Sequence, residues 1–256
     1  MKKNPTTRFS KTVDHYIRYR PGYPAAIIPF MEENLGFSNN SVIADIGSGT
    51  GKSTILFLEN SNPVYAIEPN DAMREAGEDL MSNYAGFQSM AGRAEATNLA
   101  DSSVDFILAA QAFHWFDIPL ARKEFRRILK PGGKVLLLWN KRVDEASPFM
   151  KAYNQFINRY STDLQKVNLR FVNHDDFRTF FGNADYQLQN FYDNFQEFDF
   201  DGVKGRYLSC SYALDENHRE YSEALQKLAQ IFDQNQKNGR VKMVYRTEVY
   251  YGSLTE

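Results

Sequence analysis

The chain has 256 residues, 43% of them apolar, and its 30 Lys and Arg against 32 Asp and Glu leave a net charge of −2. That length and apolar fraction support a sizeable core and exclude a disordered chain or a stapled mini-protein. Near-neutrality argues against a protein whose main work is gripping a phosphate backbone, which needs surplus Lys and Arg.

The single cysteine, Cys210, excludes an intramolecular disulfide and a multi-cysteine zinc site, so a reducing cytoplasm is the simplest setting and no metal is expected. Met1-Lys2-Lys3-Asn4-Pro5 carries charge with no apolar stretch behind it, so no leader is expected. The apolar runs near Phe106–Ala110 and Val135–Trp139 are too short to cross a bilayer. With 20 Phe and 15 Tyr, the chain is rich in aromatics, which ordinarily fill cores and edges.

In chain order, the stretch from Phe9 to Pro24 is aromatic and basic and ends in a Pro-punctuated turn. From about residue 41 to 140, short apolar runs alternate with helix-like stretches. Strands are predicted at Val42–Ile46, Val64–Glu68, Phe87–Ala91, Val104–Ala110 and Val135–Trp139. Helices are predicted at Lys52–Glu59, at Asp71–Asn83 behind Asn70 as N-cap, and at Pro119–Leu129 behind Asp117. Lys130-Pro131-Gly132-Gly133 reads as the stop of the last.

Residues 141–190 read as mainly helical, with Phe149, Tyr153, Phe156 and Tyr160 at helical spacing. Phe191–Phe200 reads as a strand, Asp215–Gln236 as a long helix, and Val241–Tyr251 as a strand. The alternation predicts an α/β doubly wound sheet of seven strands, five parallel plus two late ones, one of them antiparallel, under a helical cover. No Pro/Gly/Ser linker divides the halves, so one domain over 1–256 is expected.

Asp45-Ile46-Gly47-Ser48-Gly49-Thr50-Gly51 follows the first strand and precedes a helix, where open α/β sheets bind ligands. Three ligands compete for such a loop. A nucleoside triphosphate is favoured by Gly51-Lys52-Ser53, but Ile46 stands where a P-loop needs its first glycine. A dinucleotide requires G-x-G-x-x-G, and here the third glycine comes one residue early. Asp45 would also repel a phosphate. S-adenosylmethionine has no phosphate and carries cationic amine and sulfonium groups, so an acid beside the loop helps. Glu68, ending the second strand, can accept hydrogen bonds from a ribose diol.

On these residues the chain resembles the class I S-adenosylmethionine-dependent methyltransferases, in particular the type 11 group, whose fold is Rossmann-like. The resemblance covers residues 10–140 well and the remainder loosely. Val42–Gly51 matches the family's cofactor loop, and Ala66-Ile67-Glu68-Pro69-Asn70 its ribose segment. Gly92-Arg93-Ala94-Glu95 matches its adenine-side segment, although Arg93 stands where many members carry an acid. The resemblance implies cofactor contacts from Asp45, Gly47, Ser48, Gly49, Gly51, Glu68 and Pro69. Glu95 or a backbone carbonyl would meet the adenine amine, with the Ala94 amide facing the ring.

A subgroup that includes trans-aconitate methyltransferases has a similar Tyr…Arg-Pro-x-Tyr-Pro segment, which implies that Tyr16 and Arg20 lie over the cofactor, the guanidinium facing its carboxylate. Gln111 would position the methionine end, and His114 and Trp115, in the loop after the fourth strand, would face the acceptor. Residues 1–40 would then cover the cofactor, 41–140 bind it, and 141–256 cover the substrate. That cover offers Arg142, Tyr153, Tyr160, Arg206, Ser209 and Tyr212, and Tyr207–Tyr212 resembles a substrate-side segment of the subgroup.

The expected activity is methyl transfer to a small molecule, through O-methylation of a carboxylate or hydroxyl. A sulfonium already leaves well, so placement and exclusion of water dominate. A carboxylate acceptor needs no base; for a hydroxyl or amine, His114 is the candidate. A nucleic-acid or protein methyltransferase and a binding module without turnover are the alternatives, and the oligomeric state is open.

Overall fold

The structure, a computed structural model, describes residues 13–162, 172–182 and 186–254. The first part of the aromatic, basic N-terminal stretch, Phe9–Thr12, lies outside them. Its remainder forms α1 (Val13–Tyr19), and α2 (Ile27–Leu35) comes after the Pro-rich turn. The core then alternates β1 (Ile43–Ile46), α3 (Thr54–Glu59), β2 (Val64–Ile67), α4 (Asp71–Met81) and β3 (Phe87–Met90). It continues through β4 (Val104–Ala110), α5 (Ile118–Ile128) and β5 (Leu129–Arg142).

Several helix starts are capped as side-chain chemistry dictates. Asn70 Oδ1 accepts from the Met73 amide at 3.0 Å, Asp117 Oδ1 from Leu120 at 3.2 Å, and Ser147 Oγ from Met150 at 3.1 Å. The last begins α6 (Pro148–Arg159), succeeded by α7 (His174–Phe181) and β6 (Gln187–Phe198). The chain closes with α8 (Phe200–Leu208), α9 (Tyr221–Asn235) and β7 (Val241–Gly252).

All seven strands join one sheet in the order β3-β2-β1-β4-β5-β7-β6. β1 to β5 are mutually parallel, and β7 runs antiparallel to both β5 and β6. This is the expected topology. One face carries α5 and α7 over Ile46, Ile107, Leu137 and Trp139; the other carries α2 and α3 over Ile43, Leu108, Leu136 and Val249. Both faces being covered explains why β1 is apolar but for Asp45 and buried throughout.

Several details differ from the sequence reading, among them the last helix, which begins at Tyr221 and not at Asp215. β5 begins at Leu129, because Leu129 pairs with Val104 and the register then shifts so that Lys134 pairs with Phe106; Pro131-Gly132-Gly133 sits within this irregularity. β5 also continues past Trp139, since β7 pairs with it as far as Arg142↔Tyr245, whereas β4 stops opposite Leu138. Finally, Phe200 opens α8, capped by Asp199 Oδ1 on the Gly202 amide at 2.8 Å, and β6 reaches back to Gln187.

The extensions of β5 and β7 beyond the parallel strands support a second core of α6, α8 and α9, which includes Phe156, Tyr207, Leu228 and Tyr245. α1 lies against α8 through Gly205. A Cβ there would stand 2.1 Å from Tyr19 Cε2, so only glycine permits this approach. Gly205→Ala should cost about 1–3 kcal/mol in unfolding free energy by overpacking. Denaturant titration should find most of that cost absent in a Tyr19→Leu background, because the two side chains compete for one space.

Candidate active site

The glycine loop leaves β1 at its carboxyl end with Gly47, Gly49 and Gly51 at φ of 72°, 58° and 83°. Two of them are also sterically closed: a Cβ on Gly47 would meet Ala112 Cβ at 2.7 Å, and one on Gly51 would meet Met81 Cε at 2.2 Å. The loop is braced by its neighbouring acids. Asp45 Oδ2 accepts from Ser53 Oγ and Thr54 Oγ1, each at 2.7 Å. Glu68 Oε2 accepts from the Gly49 amide at 2.9 Å and Oε1 from the Asn70 amide at 2.8 Å. Ser53, the residue a P-loop would turn to a metal ion, is thus committed to Asp45.

Asp45 is fully buried, and its second oxygen, Oδ1, has no hydrogen-bond partner. Burial pushes its carboxyl up to about 6, against the two hydroxyl bonds that pull it down. Leaving a buried acceptor unsatisfied costs about 1–3 kcal/mol. Glu68 is raised too, by burial above all, while its two amide donors act in the opposite direction.

The turn after α1 comes within electrostatic reach of this loop, where Tyr23 feels the Asp45 carboxylate. Its anchor is a polar network on the late strands: Asn140 Nδ2 and Asn194 Nδ2 both donate to the Gly22 carbonyl, at 2.9 and 3.1 Å. Asn140 Oδ1 in turn accepts from Asn194 at 3.0 Å and from Thr247 Oγ1 at 2.6 Å. Tyr16 and Arg20 are brought together, the guanidinium 5.3 Å from the ring centroid. Burial raises the Tyr16 phenol; Arg20 and Arg206 pull it down, and Glu68 and Asp45 push it up. Tyr16 therefore lies within electrostatic reach of both the acidic loop and a basic cluster beyond it.

That cluster is the feature the sequence least revealed. Arg20 Nη2 donates to the Ser209 carbonyl at 2.9 Å, while its Nε is buried without a partner. Arg206, 5% exposed, donates to Tyr245 Oη at 3.1 Å and to Cys210 Sγ at 3.1 Å. Arg142 donates to Tyr212 Oη at 3.3 Å, stands 5.7 Å from the Tyr153 ring centroid, and reaches Asp144 only at 3.4 Å. Tyr153 is fully buried and its hydroxyl has no partner. Among the described residues, no carboxylate lies within salt-bridge distance of the half-buried Arg20 or of Arg206, an unusual state for a guanidinium as buried as that of Arg206.

Arg142, Tyr153, Arg206, Ser209 and Tyr212, all offered by the covering segment in the sequence, thus converge, and Cys210 and Tyr245 belong with them. Arg206, Ser209 and Cys210 fall at i, i+3 and i+4, a spacing that places them on one side of the end of α8.

Gln111 leaves β4 at φ 56°, donates its backbone amide to the Leu138 carbonyl at 2.8 Å, and turns its side-chain amide to the Asn140 carbonyl at 3.2 Å. His114 and Trp115 occupy the short 3₁₀ turn beyond it, with ring centroids 5.0 Å apart. Ala94 is buried, Pro69 and Arg93 are exposed, and Glu95 Oε1 accepts from the Asp117 amide at 2.8 Å. Glu95 thereby ties the adenine-side segment to the start of α5. Among the described residues, no cluster of His, Cys, Asp and Glu could hold a metal ion, and no helix is long and apolar enough to cross a membrane.

Residues 44–137 match the model of a family described as Methyltransferase domain, the type 11 group. An uncharacterized methyltransferase-like protein of Schizosaccharomyces pombe is 36% identical over 155 residues, 60% of this chain and 59% of that protein. A Saccharomyces cerevisiae protein named as a probable S-adenosylmethionine-dependent methyltransferase is 28% identical over 167 residues, 59% of this chain and 56% of its own length. The chain thus spans somewhat under two thirds of these relatives. In fold, it is similar to an Anabaena variabilis protein provisionally described as a methyltransferase from an antibiotic biosynthesis pathway. That likeness has a TM-score of 0.59 and 19% identity, over 93% of this chain and 99% of the other.

The left-handed turn at Gln111 is the one strained non-glycine backbone position in the site, and strain of this kind costs about 1–3 kcal/mol. Gln111→Gly should leave thermal stability unchanged or raise it slightly, whereas Gln111→Val should lower it by more than about 1 kcal/mol, of the order given for strained φ. Equal melting temperatures for the two variants would contradict this reading of the turn.

Proposed function

We propose that this chain is a cytoplasmic S-adenosylmethionine-dependent methyltransferase that methylates an oxygen, carboxylate or hydroxyl, of a small molecule. The observation that carries the donor assignment is the buried, unpartnered Oδ1 of Asp45 beside a glycine loop. A cation satisfies that atom and a phosphate would repel it. The donor supplies a methyl group on a sulfonium, a leaving group that needs no protonation. Glu68 accepts from the ribose hydroxyls, since each of its oxygens keeps a lone pair beyond the amide it already accepts from. Arg20 offers its Nε to the methionine carboxylate, with Tyr16 beneath it. Pro69, Ala94, Glu95 and Gln111 complete the donor's surroundings.

The core from 41 to 140 holds the donor, the helices before it close over it, and the segment from 141 onward covers the acceptor. Arg142, Tyr153, Ser209 and Tyr212 line the acceptor's side, with Trp115 at the β4 exit. Of the two acceptor classes a carboxylate is favoured, because Arg142 and Arg206 bind one directly and its attack requires no base. For a hydroxyl, His114 takes the proton. The cysteine is free and buried, which suits a reducing compartment. The net charge of −2 supports a small-molecule acceptor over a nucleic acid.

Isothermal titration of the full chain with S-adenosylhomocysteine should give saturable binding, and its absence would sink the proposal. Glu68→Ala should weaken that binding by about 1–3 kcal/mol, the scale for lost hydrogen bonds to a charged group. Unchanged binding would place the ribose elsewhere. Donor affinity should also weaken as pH falls below about 6, where Asp45 takes up a proton and its attraction for a cation is lost. A flat profile on both sides of that midpoint of about 6 would remove Asp45 from the site. In single-turnover transfer of labelled methyl to pooled carboxylic acids, His114→Ala should leave a carboxylate-methylating enzyme nearly intact. A collapse of turnover with cofactor affinity unchanged would instead indicate a hydroxyl acceptor. Binding without transfer to any pool would make the chain a binding module.

A further inference from the structure

The proposed acceptor site contains an ionisable thiol that the methyl-transfer reading does not use. Cys210 is 3% exposed at the end of α8 and receives the Arg206 Nη1 hydrogen at 3.1 Å. The groups facing it come from every neighbouring element: Arg20 after α1, Arg142 at the end of β5, Tyr153 on α6, Arg206 and Tyr207 on α8, and Tyr212 beyond. None of these is a carboxylate. Three guanidinium groups, that of Arg206 buried and those of Arg20 and Arg142 half-buried, therefore act on the thiol, the most acidic group among them, beside the buried and unpartnered Tyr153 hydroxyl and Arg20 Nε.

We propose that Cys210 is the resident counter-ion of this region: a thiolate that neutralises the arginines in the free enzyme and yields them, taking up a proton, when an anionic acceptor enters. The inference rests on the carboxylate reading of the acceptor. The geometry contains both states. As a thiolate, Sγ accepts from Arg206 Nη1; as a thiol, it donates to the Arg206 carbonyl at 3.5 Å. The exchange is balanced: one proton from solvent converts thiolate to thiol as one carboxylate takes its place on the guanidinium groups. Burial alone would push the thiol up; Arg20, Arg206, the Tyr212 hydroxyl and Arg142 outweigh it and bring it to about 7. A side chain poised there exchanges its proton close to neutral pH, so the exchange needs little driving force.

The consequence is specificity for charge. A neutral acceptor of the same shape cannot replace the thiolate and would leave the arginines uncompensated. Acceptor binding also takes up a proton, so affinity for a carboxylate rises as pH falls through about 7.

The test is the ultraviolet absorbance of the thiolate in the full chain, taken as the difference between the natural protein and Cys210→Ser across a pH titration. The midpoint should lie near 7, and saturating malonate, used as the carboxylate probe, should move it upward. Arg142→Gln and, separately, Arg206→Gln should each shift it toward the ordinary thiol value of about 8.5. A midpoint at or above about 8.5 in the natural protein, or one that malonate leaves in place, overturns the proposal. The two readings fail separately. Loss of S-adenosylhomocysteine binding contradicts the methyltransferase assignment with the thiol midpoint intact, whereas a normal thiol midpoint with that binding retained contradicts only the exchange.

Discussion

The burial of a carboxylate at the end of β1 is the constraint on which the site depends. Asp45 occupies a strand whose other residues are apolar and whose two faces are both covered, so solvent cannot satisfy it. Two hydroxyl groups from the start of α3 satisfy one oxygen and draw that helix against the strand. The loop between them then has a fixed length and must turn through three left-handed positions. Glu68 fixes the loop's midpoint from the neighbouring strand. The arrangement stores the cost of one unsatisfied oxygen, which a hydrogen-bond donor at that oxygen would recover.

Charge is then divided along the molecule. The loop side carries two buried acids; the side covered by the late strands carries three arginines, two of them with no carboxylate partner among the described residues. Tyr16 lies between and senses both. A donor that is cationic at one end and an acceptor that is anionic fit this division with each charge on its complement. The late strands make it possible: β5 and β7 outrun the parallel sheet, so Arg142 and Tyr245 pair beyond the end of β4. The Asn140–Asn194–Thr247 network then holds the Gly22 turn, and with it Arg20, across the gap.

The parallel core was legible because its signals are local. Short β-branched runs, N-caps at Asn70 and Asp117, and three glycines after a strand each declare themselves within a few residues. What was not legible depends on distant partners. Pro131-Gly132-Gly133 reads as a break, yet the strand passes through it because β4 tolerates a shift of register. Gly202 and Gly205 weaken the helical signal of α8, and their value emerges only against Phe198 and Tyr19. Arg206 reads in the sequence as one of several polar candidates of the covering segment, with nothing to show that it is buried. Its burial is set by Tyr245 on β7 and by Cys210, a combination no spacing rule anticipates.

The most direct measurement of this account is a crystal structure of the full chain with S-adenosylhomocysteine bound. The account predicts the ribose on Glu68, the amino-acid end between Asp45, Tyr16 and Arg20, and the sulfur opening toward Arg142 and Arg206. A nucleoside bound away from the glycine loop, or a sulfur turned away from the arginines, would contradict it.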